Sequence, residues 1–177
     1  MFTNPKQNIL EFGFLPGQKV ADLGAGAGHY THALSVALGK DGRVISVDLD
    51  KDLLVKVYKE GKAEGRDNIR SVEGDVEEIG GTKIADETLD GAVFGNILFF
   101  LEDKANAVRE AKRIVKKGGR IGVVEWADSS YLARIQTEGV NHVLKEDDVK
   151  ALFKTEGLEF ERSFPAGEHH YGLIFKK

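Results

Sequence analysis

Residues 20–30, a short apolar run that leads into a glycine-rich turn, carry the strongest chemical signal in this sequence. Asp22 is followed by three alternating glycines, Gly24, Gly26 and Gly28, and a helix pattern begins directly behind them. Glycine lets the backbone turn tightly and lie close to a ligand, and a helix N-terminus offers unpaired N–H groups. Because a carboxylate in such a turn suits an amino group and disfavours a pyrophosphate, the segment predicts a nucleotide-type ligand with a cationic group.

Polar residues also follow the next three predicted strands. Asp48 ends the second strand, Asp75 comes just after the third, and Asn96 follows the fourth. In an open parallel sheet, ligands bind beyond the carboxyl ends of the strands, so these side chains are expected at one edge. The spacing of about 20 residues from Gly26 to Asp48 suits a carboxylate that accepts from both ribose hydroxyls. Any one of these residues could instead be a cap or turn residue, but together they predict one ligand site.

Strand and helix patterns alternate along the chain and end in a hairpin. The predicted strands are 19–23, 43–48, 69–72, 89–94, 120–126, 158–164 and 170–175, with a turn at 165–168. The predicted helices are 5–12, 30–38, 51–64, 104–117 and 146–156, and 77–88 is expected to be a loop or a short helix. This order predicts a Rossmann-like, doubly wound α/β fold: a seven-stranded, mostly parallel sheet with one antiparallel strand in a three-layer α/β/α arrangement.

Length and composition narrow the class of protein. The 177 residues contain no repeat, low-complexity tract or linker, so a single domain spanning 1–177 is expected. The net charge of -4 argues against a generic nucleic-acid binder, and the absence of cysteine excludes disulfides and zinc–thiolate sites; no metal site is expected. No apolar run approaches the ~18 residues of a membrane span and no signal peptide is apparent, so a cytoplasmic protein without a membrane partner is expected.

Four ordered segments resemble the motifs of class I S-adenosylmethionine-dependent methyltransferases. These segments are 20–28, Val47-Asp48, Gly74-Asp75 and 110–119, and the resemblance extends over nearly the whole chain. Within this family, the motifs resemble those of the group that contains quinone-precursor C-methyltransferases. Lys117 departs from the pattern, since proline is common before the glycine pair in this family, but that position concerns a helix end more than the site. The resemblance implies an enzyme that uses S-adenosyl-L-methionine and releases S-adenosyl-L-homocysteine.

The resemblance also implies roles for individual residues. Asp22 would orient the methionyl amino group, Asp48 would bind the ribose hydroxyls, and Asp75 would accept from the adenine amino group. The other implied cofactor contacts are Gly24, Ala25, Gly26, Gly28, Leu49, Val76, Asn96 and Ile97. Because transfer from a sulfonium requires alignment more than acid–base chemistry, no catalytic residue is assigned.

Several residues outside this set have open roles. Candidates for a base or an aromatic contact with the acceptor are His29, His142, His169, His170, Trp126 and Tyr131, each of which has an alternative as a core, lid or helix residue. A basic cluster at Lys112, Arg113, Lys116, Lys117 and Arg120 is interpreted as solvated surface at a helix end rather than a phosphate site. Tyr58 and Lys62 have the Tyr-x-x-x-Lys spacing of short-chain dehydrogenases, but they precede the third strand and are interpreted as a coincidence.

Two other functions remain open. An NAD-dependent oxidoreductase would carry Gly-x-Gly-x-x-Gly, whereas the last position counted from Gly24 is His29, and Gly28 comes one residue early. A non-catalytic cofactor-binding or partner-binding module is consistent with the lack of an evident base. The acceptor is expected to be a small molecule, because residues 96–100 lack the Asn/Asp-Pro-Pro-aromatic motif of many amino-methylating nucleic-acid enzymes. Protein or RNA acceptors, the acceptor atom, the oligomeric state and a lid at 127–143 stay open.

Overall fold

Seven strands form one sheet in the computed structural model, which describes residues 3–127 and 144–177. The strands are β1 (Lys19–Leu23), β2 (Arg43–Asp48), β3 (Ile69–Glu73), β4 (Leu89–Gly95), β5 (Val115–Trp126), β6 (Glu159–Gly167) and β7 (His170–Lys176). The described helices are α1 (Pro5–Phe12), α2 (His29–Leu38), α3 (Lys51–Ala63), α4 (Lys104–Ile114) and α5 (Glu146–Thr155).

The strand order in the sheet is β3-β2-β1-β4-β5-β7-β6. Strands β1 to β5 pair in parallel, and β7 runs antiparallel to both β5 and β6. The predicted doubly wound α/β fold with one antiparallel strand is therefore confirmed. The order reverses between β1 and β4, which is the switch point where ligands bind in such sheets.

Two apolar layers cover the sheet, one on each face. On one face Ile9 and Phe12 of α1 and Leu34 of α2 pack over the sheet. On the other face Ala107 of α4 and Phe153 of α5 are fully buried. Successive strand residues point to opposite faces, so continuous apolar strands supply both layers at once, and each large side chain contributes about 1.5–3 kcal/mol when fully buried.

Helix ends follow the capping signals in the sequence. The Asn4 side chain accepts from a first-turn N–H of α1, which begins with Pro5, and α1 ends at Gly13 with φ of 68°. The Asp103 carboxylate caps α4 in the same way. These contacts satisfy backbone groups that a helix leaves unpaired at its ends, and they confirm the predicted starts of α1 and α4.

The boundary between α4 and β5 differs from the prediction of a helix to 117 and a strand from 120. The helix ends at Ile114, and Val115 already has an extended backbone with ψ of 137°. Val115 pairs with Leu89 of β4, and regular pairing resumes at Arg120 after an irregularity. The long-range pairing of a β-branched residue therefore overrides the helical spacing that made Val115 appear to continue α4.

The predicted turn at 165–168 is also placed too early. Strand β6 continues through Pro165 to Gly167, so the connection to β7 consists of Glu168 and His169. Proline is tolerated there because β6 is an edge strand, where an amide that faces away from the sheet is not needed for pairing. Residues 77–88 are turns and irregular backbone, as the loop alternative expected. Within 3–127 and 144–177, no helix combines the length and the apolar character needed to cross a membrane.

Candidate functional site

The carboxyl ends of β1, β2 and β4 surround a cavity of about 460 Å³, which we call the main cavity. Its walls are the glycine turn after β1, the start of α2, Thr3 and Pro5 at the start of α1, and the turn at 95–100. A side cavity of about 70 Å³ lies next to it, between the end of β2 and residues 74–77. Gly24, Asp48 and Ile97 line both cavities, so the two spaces adjoin along one edge of the sheet.

All but one of the predicted cofactor contacts line these cavities. The main cavity is lined by Asp22, Gly24, Ala25, Gly26, Asp48, Asn96 and Ile97, and the side cavity also by Leu49, Asp75 and Val76. Gly28 is the exception: it precedes the first residue of α2 with φ of 79°, and a Cβ there would lie 2.6 Å from Val57. The absence of a side chain at Gly28 therefore lets α2 and α3 pack close to each other. For the other ten residues, contact with the cofactor stays a prediction.

Asp22 is a buried carboxylate at the inner end of the main cavity, with 1% of its surface exposed. The Thr31 hydroxyl of α2 donates to Asp22 Oδ2 at 2.6 Å. Burial raises the pKa of Asp22 to about 6, although the hydrogen bonds from Thr31 oppose this effect. The group is thus oriented before any ligand arrives, and a cation beside it would lower its pKa again.

Asp48 and Asp75 are half-buried carboxylates at the ends of β2 and β3. Asp48 Oδ2 accepts from the Gly26 amide at 2.8 Å, which ties the glycine turn to the neighbouring strand. Asp75 Oδ1 accepts from the Glu77 amide at 2.8 Å. Each carboxylate keeps acceptor capacity beyond these bonds, so both can receive hydroxyl or amino donors from a ligand.

The glycine turn is closely fitted to the turn at 95–100. Gly24 has φ of 73°, and a Cβ at this position would lie 2.5 Å from Cγ1 of Ile97. At Gly26, by contrast, φ is 50° and a Cβ would meet nothing within 4 Å. Gly24 is therefore required for packing and conformation, whereas Gly26 leaves open space that a ligand can enter.

The described lining of the site is acidic. Asp22 lines the main cavity, Asp75 lines the side cavity and Asp48 lines both, whereas none of the described lining residues is lysine or arginine. No cluster of three or more metal-ligating side chains occurs in the described parts of the chain. Such a lining favours a ligand that carries positive charge and hydrogen-bond donors, and it disfavours a pyrophosphate.

A polar network that was not predicted supports the outer wall of the main cavity. The Asn8 amide donates to the Tyr30 hydroxyl at 3.0 Å and to the Ala166 carbonyl at 3.3 Å. The Thr3 hydroxyl donates to the same carbonyl at 2.9 Å, and Thr3 and Tyr30 both line the cavity. A polar Asn in an otherwise apolar face of α1 is the signal that could have indicated this network.

Glu125 is a second buried carboxyl near the cavity, and it is not among the predicted site residues. Its Oε1 atom accepts from the Leu98 amide at 2.8 Å, which places Glu125 under the turn at 95–100. Burial raises the pKa of Glu125 to about 8 in spite of backbone N–H groups that stabilise its ionised form. Asn96, at the start of that turn, has φ of 57°. A lone carboxylate within the apolar run 121–126 was the available signal.

The histidine and aromatic candidates fall into different places. His29 is exposed at the start of α2 and lines the main cavity. His170 is buried, its ring lies 4.0 Å from that of Trp126, and burial lowers its pKa to about 4. His169 lies in the turn before β7, and His142 and Tyr131 are outside the described residues. Only His29 among these candidates is therefore placed at the cavity within the described part of the chain.

The basic cluster around the end of α4 is engaged with acidic and carbonyl groups. Ion pairs join Arg113 to Glu110 and Asp86, Lys116 to Asp90, and Arg120 to Glu161, while Lys112 donates to the Glu156 carbonyl. These contacts support the interpretation of the cluster as surface rather than a phosphate site. Tyr58 and Lys62 lie on α3, where Lys62 is over the Tyr58 ring and pairs with Asp67, away from both cavities.

Comparison with known proteins gives a consistent result. A family model described as "Methyltransferase domain" matches residues 21–123. An arsenite methyltransferase of Halobacterium salinarum is 27% identical over 160 residues, which cover 86% of this chain and 40% of that protein. A demethylmenaquinone methyltransferase of Staphylococcus aureus is 32% identical over 120 residues, which cover 68% of this chain and 48% of that protein. The chain thus spans less than half the length of these curated relatives.

The fold has close counterparts among solved structures. A SAM-dependent methyltransferase from Aquifex aeolicus superposes with a TM-score of 0.85 at 22% identity. The superposition covers 98% of this chain and 89% of that protein. At this level of identity the likeness shows a shared fold.

Proposed function

This chain belongs to the methyltransferase-domain family of class I S-adenosylmethionine-dependent methyltransferases, and we propose that it methylates a small-molecule acceptor. The observation that carries the proposal is the lining of the two cavities by Asp22, Asp48 and Asp75 with no described lysine or arginine. When bound, S-adenosylmethionine supplies a methyl group that is already activated by a positively charged sulfur. A cationic ligand with ribose hydroxyls and an adenine amino group matches this acidic lining.

Each carboxylate has a distinct role in the proposal. Asp22, fixed by Thr31, holds the methionyl ammonium group through charge and hydrogen bonding. Asp48 accepts from the ribose hydroxyls, and Asp75 accepts from the adenine amino group in the side cavity. The start of α2 contributes His29 and Tyr30 to the wall, and the N-terminus of a helix favours an anionic group such as the methionyl carboxylate.

The protein's contribution to the rate is alignment. The turn at 95–100 and residues Thr3 and Pro5 line the main cavity together with the glycine turn, so an acceptor held in this cavity would meet them. Positioning of two reactants can supply up to ~7–11 kcal/mol of the barrier. An acceptor that must lose a proton would transfer it to water or to His29. His29 is the one histidine among the described residues that line the main cavity.

The acceptor class follows from the size of the site and from the relatives. The main cavity of about 460 Å³ falls in the range of small-molecule pockets, ~300–1,000 Å³, and must accommodate both the cofactor's methyl end and the acceptor. The two relatives are named for arsenite and demethylmenaquinone, both small molecules. A single domain over residues 1–177 and a cytoplasmic location belong to the same proposal.

Calorimetry tests the assignment of the cofactor site. S-adenosylhomocysteine should bind the wild-type protein, and Asp48→Asn should weaken binding by about 10- to 100-fold, because hydrogen bonds to a charged acceptor are worth ~1.5–3 kcal/mol. Asp52→Asn, which removes an exposed carboxylate in the first turn of α3, is the matched control and should bind as the wild type does. Equal affinities for the two variants would refute the role of Asp48.

Transfer of a labelled methyl group tests the acceptor. Cell extract is incubated with the protein and methyl-labelled S-adenosylmethionine, and is then fractionated into metabolites, protein and RNA. Label is expected in the metabolite fraction and should decline with Asp48→Asn. Label in protein or RNA instead would overturn the small-molecule proposal, and no transfer to any fraction would favour a non-catalytic module.

A further inference from the structure

The free edge of β3 lies between two grooves that take no part in the site described above. A groove of about 640 Å³ lies on the side of α3 and is lined in part by Leu54 and Val55; we call it the α3-side groove. A groove of about 540 Å³ lies on the other face of β3 and is lined in part by Ile45, Val72 and Ile84; we call it the loop-side groove. A strand edge with space on both faces can accept the alternating side chains of an added strand.

The backbone of β3 has outward hydrogen-bonding groups at this edge, of which the Glu73 carbonyl accepts from Lys83 and those of Ile69 and Ser71 have no partner among the described residues. Strand β3 pairs with β2 on one side and has no described strand on the other. The Asn68 carbonyl and the Gly74 amide both bond to β2. Every second residue between them therefore also directs its backbone groups towards β2. The N–H and C=O groups of Ile69 and Ser71 therefore point outward. Such a row of groups is a template for pairing with another extended chain.

The α3-side groove is basic, although the chain as a whole is acidic. Arg43, Lys51, Lys59 and Arg70 line it and are exposed, and none of these side chains forms an ion pair with a carboxylate in the described residues. Glu73 is the acidic residue in the same lining. Arg70 also lines the loop-side groove, as does Lys83. Because the net charge of the chain is -4, this concentration of cations along β3 is a local feature that selects an acidic occupant.

We infer that the β3 edge is a docking site for an acidic, extended segment of a different protein. The segment adds a strand to β3, with acidic side chains towards Lys51 and Lys59 in the α3-side groove. Its other face meets Ile45, Val72 and Ile84 in the loop-side groove, where Arg70 and Lys83 attract further acidic groups. A second copy of this chain is disfavoured, since pairing of two β3 edges would bring together two surfaces that both carry the cations Lys59 and Arg70. The inference does not depend on methyl transfer.

A designed peptide tests the docking directly. The probe is a fluorescent peptide of about eight residues, near the usual strand length, with alternating glutamate and valine. Its binding is followed by fluorescence anisotropy at about 0.05 M salt, where exposed charges are weakly screened. Micromolar binding is expected for this peptide. A lysine–valine peptide, and a glutamate–valine peptide with alternate backbone amides methylated, should both bind at least about tenfold more weakly.

Two pairs of variants separate the charge and the backbone contributions. Arg70→Glu with Lys59→Glu should weaken the peptide about tenfold, because two attractions become repulsions. The matched control, Lys40→Glu with Lys154→Glu, reverses two exposed charges elsewhere and should change affinity less than about twofold. Ser71→Pro removes the outward amide of Ser71 and should abolish binding. Ser71→Ala keeps that amide and should retain binding. Both variants lose the hydroxyl contacts of Ser71 within the fold, so their difference reports on the amide.

Several results would overturn the inference. These are no binding of the glutamate–valine peptide at about millimolar concentration, equal binding of the lysine peptide, or no effect of the Arg70→Glu, Lys59→Glu variant. Displacement of the peptide by a polyuridine oligonucleotide that binds more tightly would assign the groove to RNA instead. Sedimentation of a dimer that Arg70→Glu, Lys59→Glu leaves intact and Ser71→Pro disrupts would assign the edge to a second copy. If Ser71→Pro fails to fold, the charge variants still decide the outcome.

Discussion

Asp22 and Glu125 are both fully buried carboxyls at the carboxyl edge of the sheet, yet their partners differ. Asp22 receives a hydrogen bond from a side-chain hydroxyl and lines the main cavity. Glu125 receives its hydrogen bonds from backbone amides, mainly those of the turn at 95–100 and also that of Trp126. Asp22 is thus placed to meet a ligand, whereas Glu125 holds the turn that forms one wall of the ligand's cavity.

The raised pKa of Glu125 predicts a pH-dependent stability. Its pKa rises from 4.5 to about 8 on folding, so the native state binds a proton that the unfolded chain has lost between these values. Stability from this group is fully present below pH 4.5 and declines as pH rises to about 8. In Glu125→Gln, the free energy of unfolding should no longer fall by the roughly 3–5 kcal/mol that Glu125 contributes to this decline.

Urea unfolding at a series of pH values checks this expectation. The difference in unfolding free energy between Glu125→Gln and wild type should move in favour of the variant as pH rises. Because other titrating groups are common to both proteins, the comparison isolates Glu125. A constant difference from pH 5 to pH 9 would show that Glu125 is ionised in the native state throughout.

Gly24 provides a second test at the scale of single residues. Gly24→Ala should lose more than the ~1–2 kcal/mol of a left-handed conformation alone, because its Cβ would lie 2.5 Å from Ile97. It should also weaken cofactor binding by at least about tenfold. Gly17→Ala, with φ of 86° and no atom near the new Cβ, should lose only the conformational part and bind normally.

Urea unfolding and calorimetry measure the two effects. Ile97→Ala combined with Gly24→Ala should recover part of the stability, because the clash is with the Ile97 side chain. Identical stability losses for Gly24→Ala and Gly17→Ala would show that the close packing of the glycine turn against Ile97 is unimportant.

At the scale of elements, α1 is held to the sheet by a buried polar contact as well as by its apolar face. Asn8→Ala leaves the Tyr30 hydroxyl and the Ala166 carbonyl without the amide that now reaches both. The expected loss is about 1–3 kcal/mol of stability, and cofactor affinity should fall as well because Tyr30 lines the main cavity. Gln7→Ala, at an exposed position of the same helix, should change neither quantity.

Urea unfolding combined with amide hydrogen exchange tests the role of Asn8. In Asn8→Ala, exchange should accelerate in α1 before it does in the central strands, because local opening precedes global unfolding. If α1 exchanges no faster in Asn8→Ala than in Gln7→Ala, the network does not hold the helix.

The elements that were predicted well are those whose limits depend on local sequence. Strands β1 and β2 have the predicted bounds, since polar or glycine residues flank short apolar runs. The end of α4 was not predictable in this way, because Val115 fits the helical stripe and its strand partner Leu89 is distant in sequence. Carboxylates at strand tips could be placed from topology alone, whereas Thr3, Asn8 and Tyr30 meet only through the docking of α1, which no local pattern specifies.

At the scale of the whole molecule, ligand binding should stabilise the fold selectively. S-adenosylhomocysteine at 100 times its dissociation constant should add about 2.7 kcal/mol, which corresponds to an increase of about 5–10 °C in Tm for a chain of this size. NAD at the same concentration should leave Tm unchanged, because its pyrophosphate would face Asp22 and Asp48 with no described cation in the lining. An increase with NAD alone would support the oxidoreductase alternative instead.

The position of β7 between β5 and β6 affects how the sheet is assembled during synthesis. Strand β6 leaves the ribosome before β7 but has no strand to pair with in the sheet until β7 has been made and inserted against β5. The residues lining the two cavities come from 3–101, so this part of the chain can collapse before β7 is made. During that time β6 is unpaired. Closing this non-local pairing is entropically slow, and a translational pause after β6 would prolong the interval in which the growing chain is prone to aggregate.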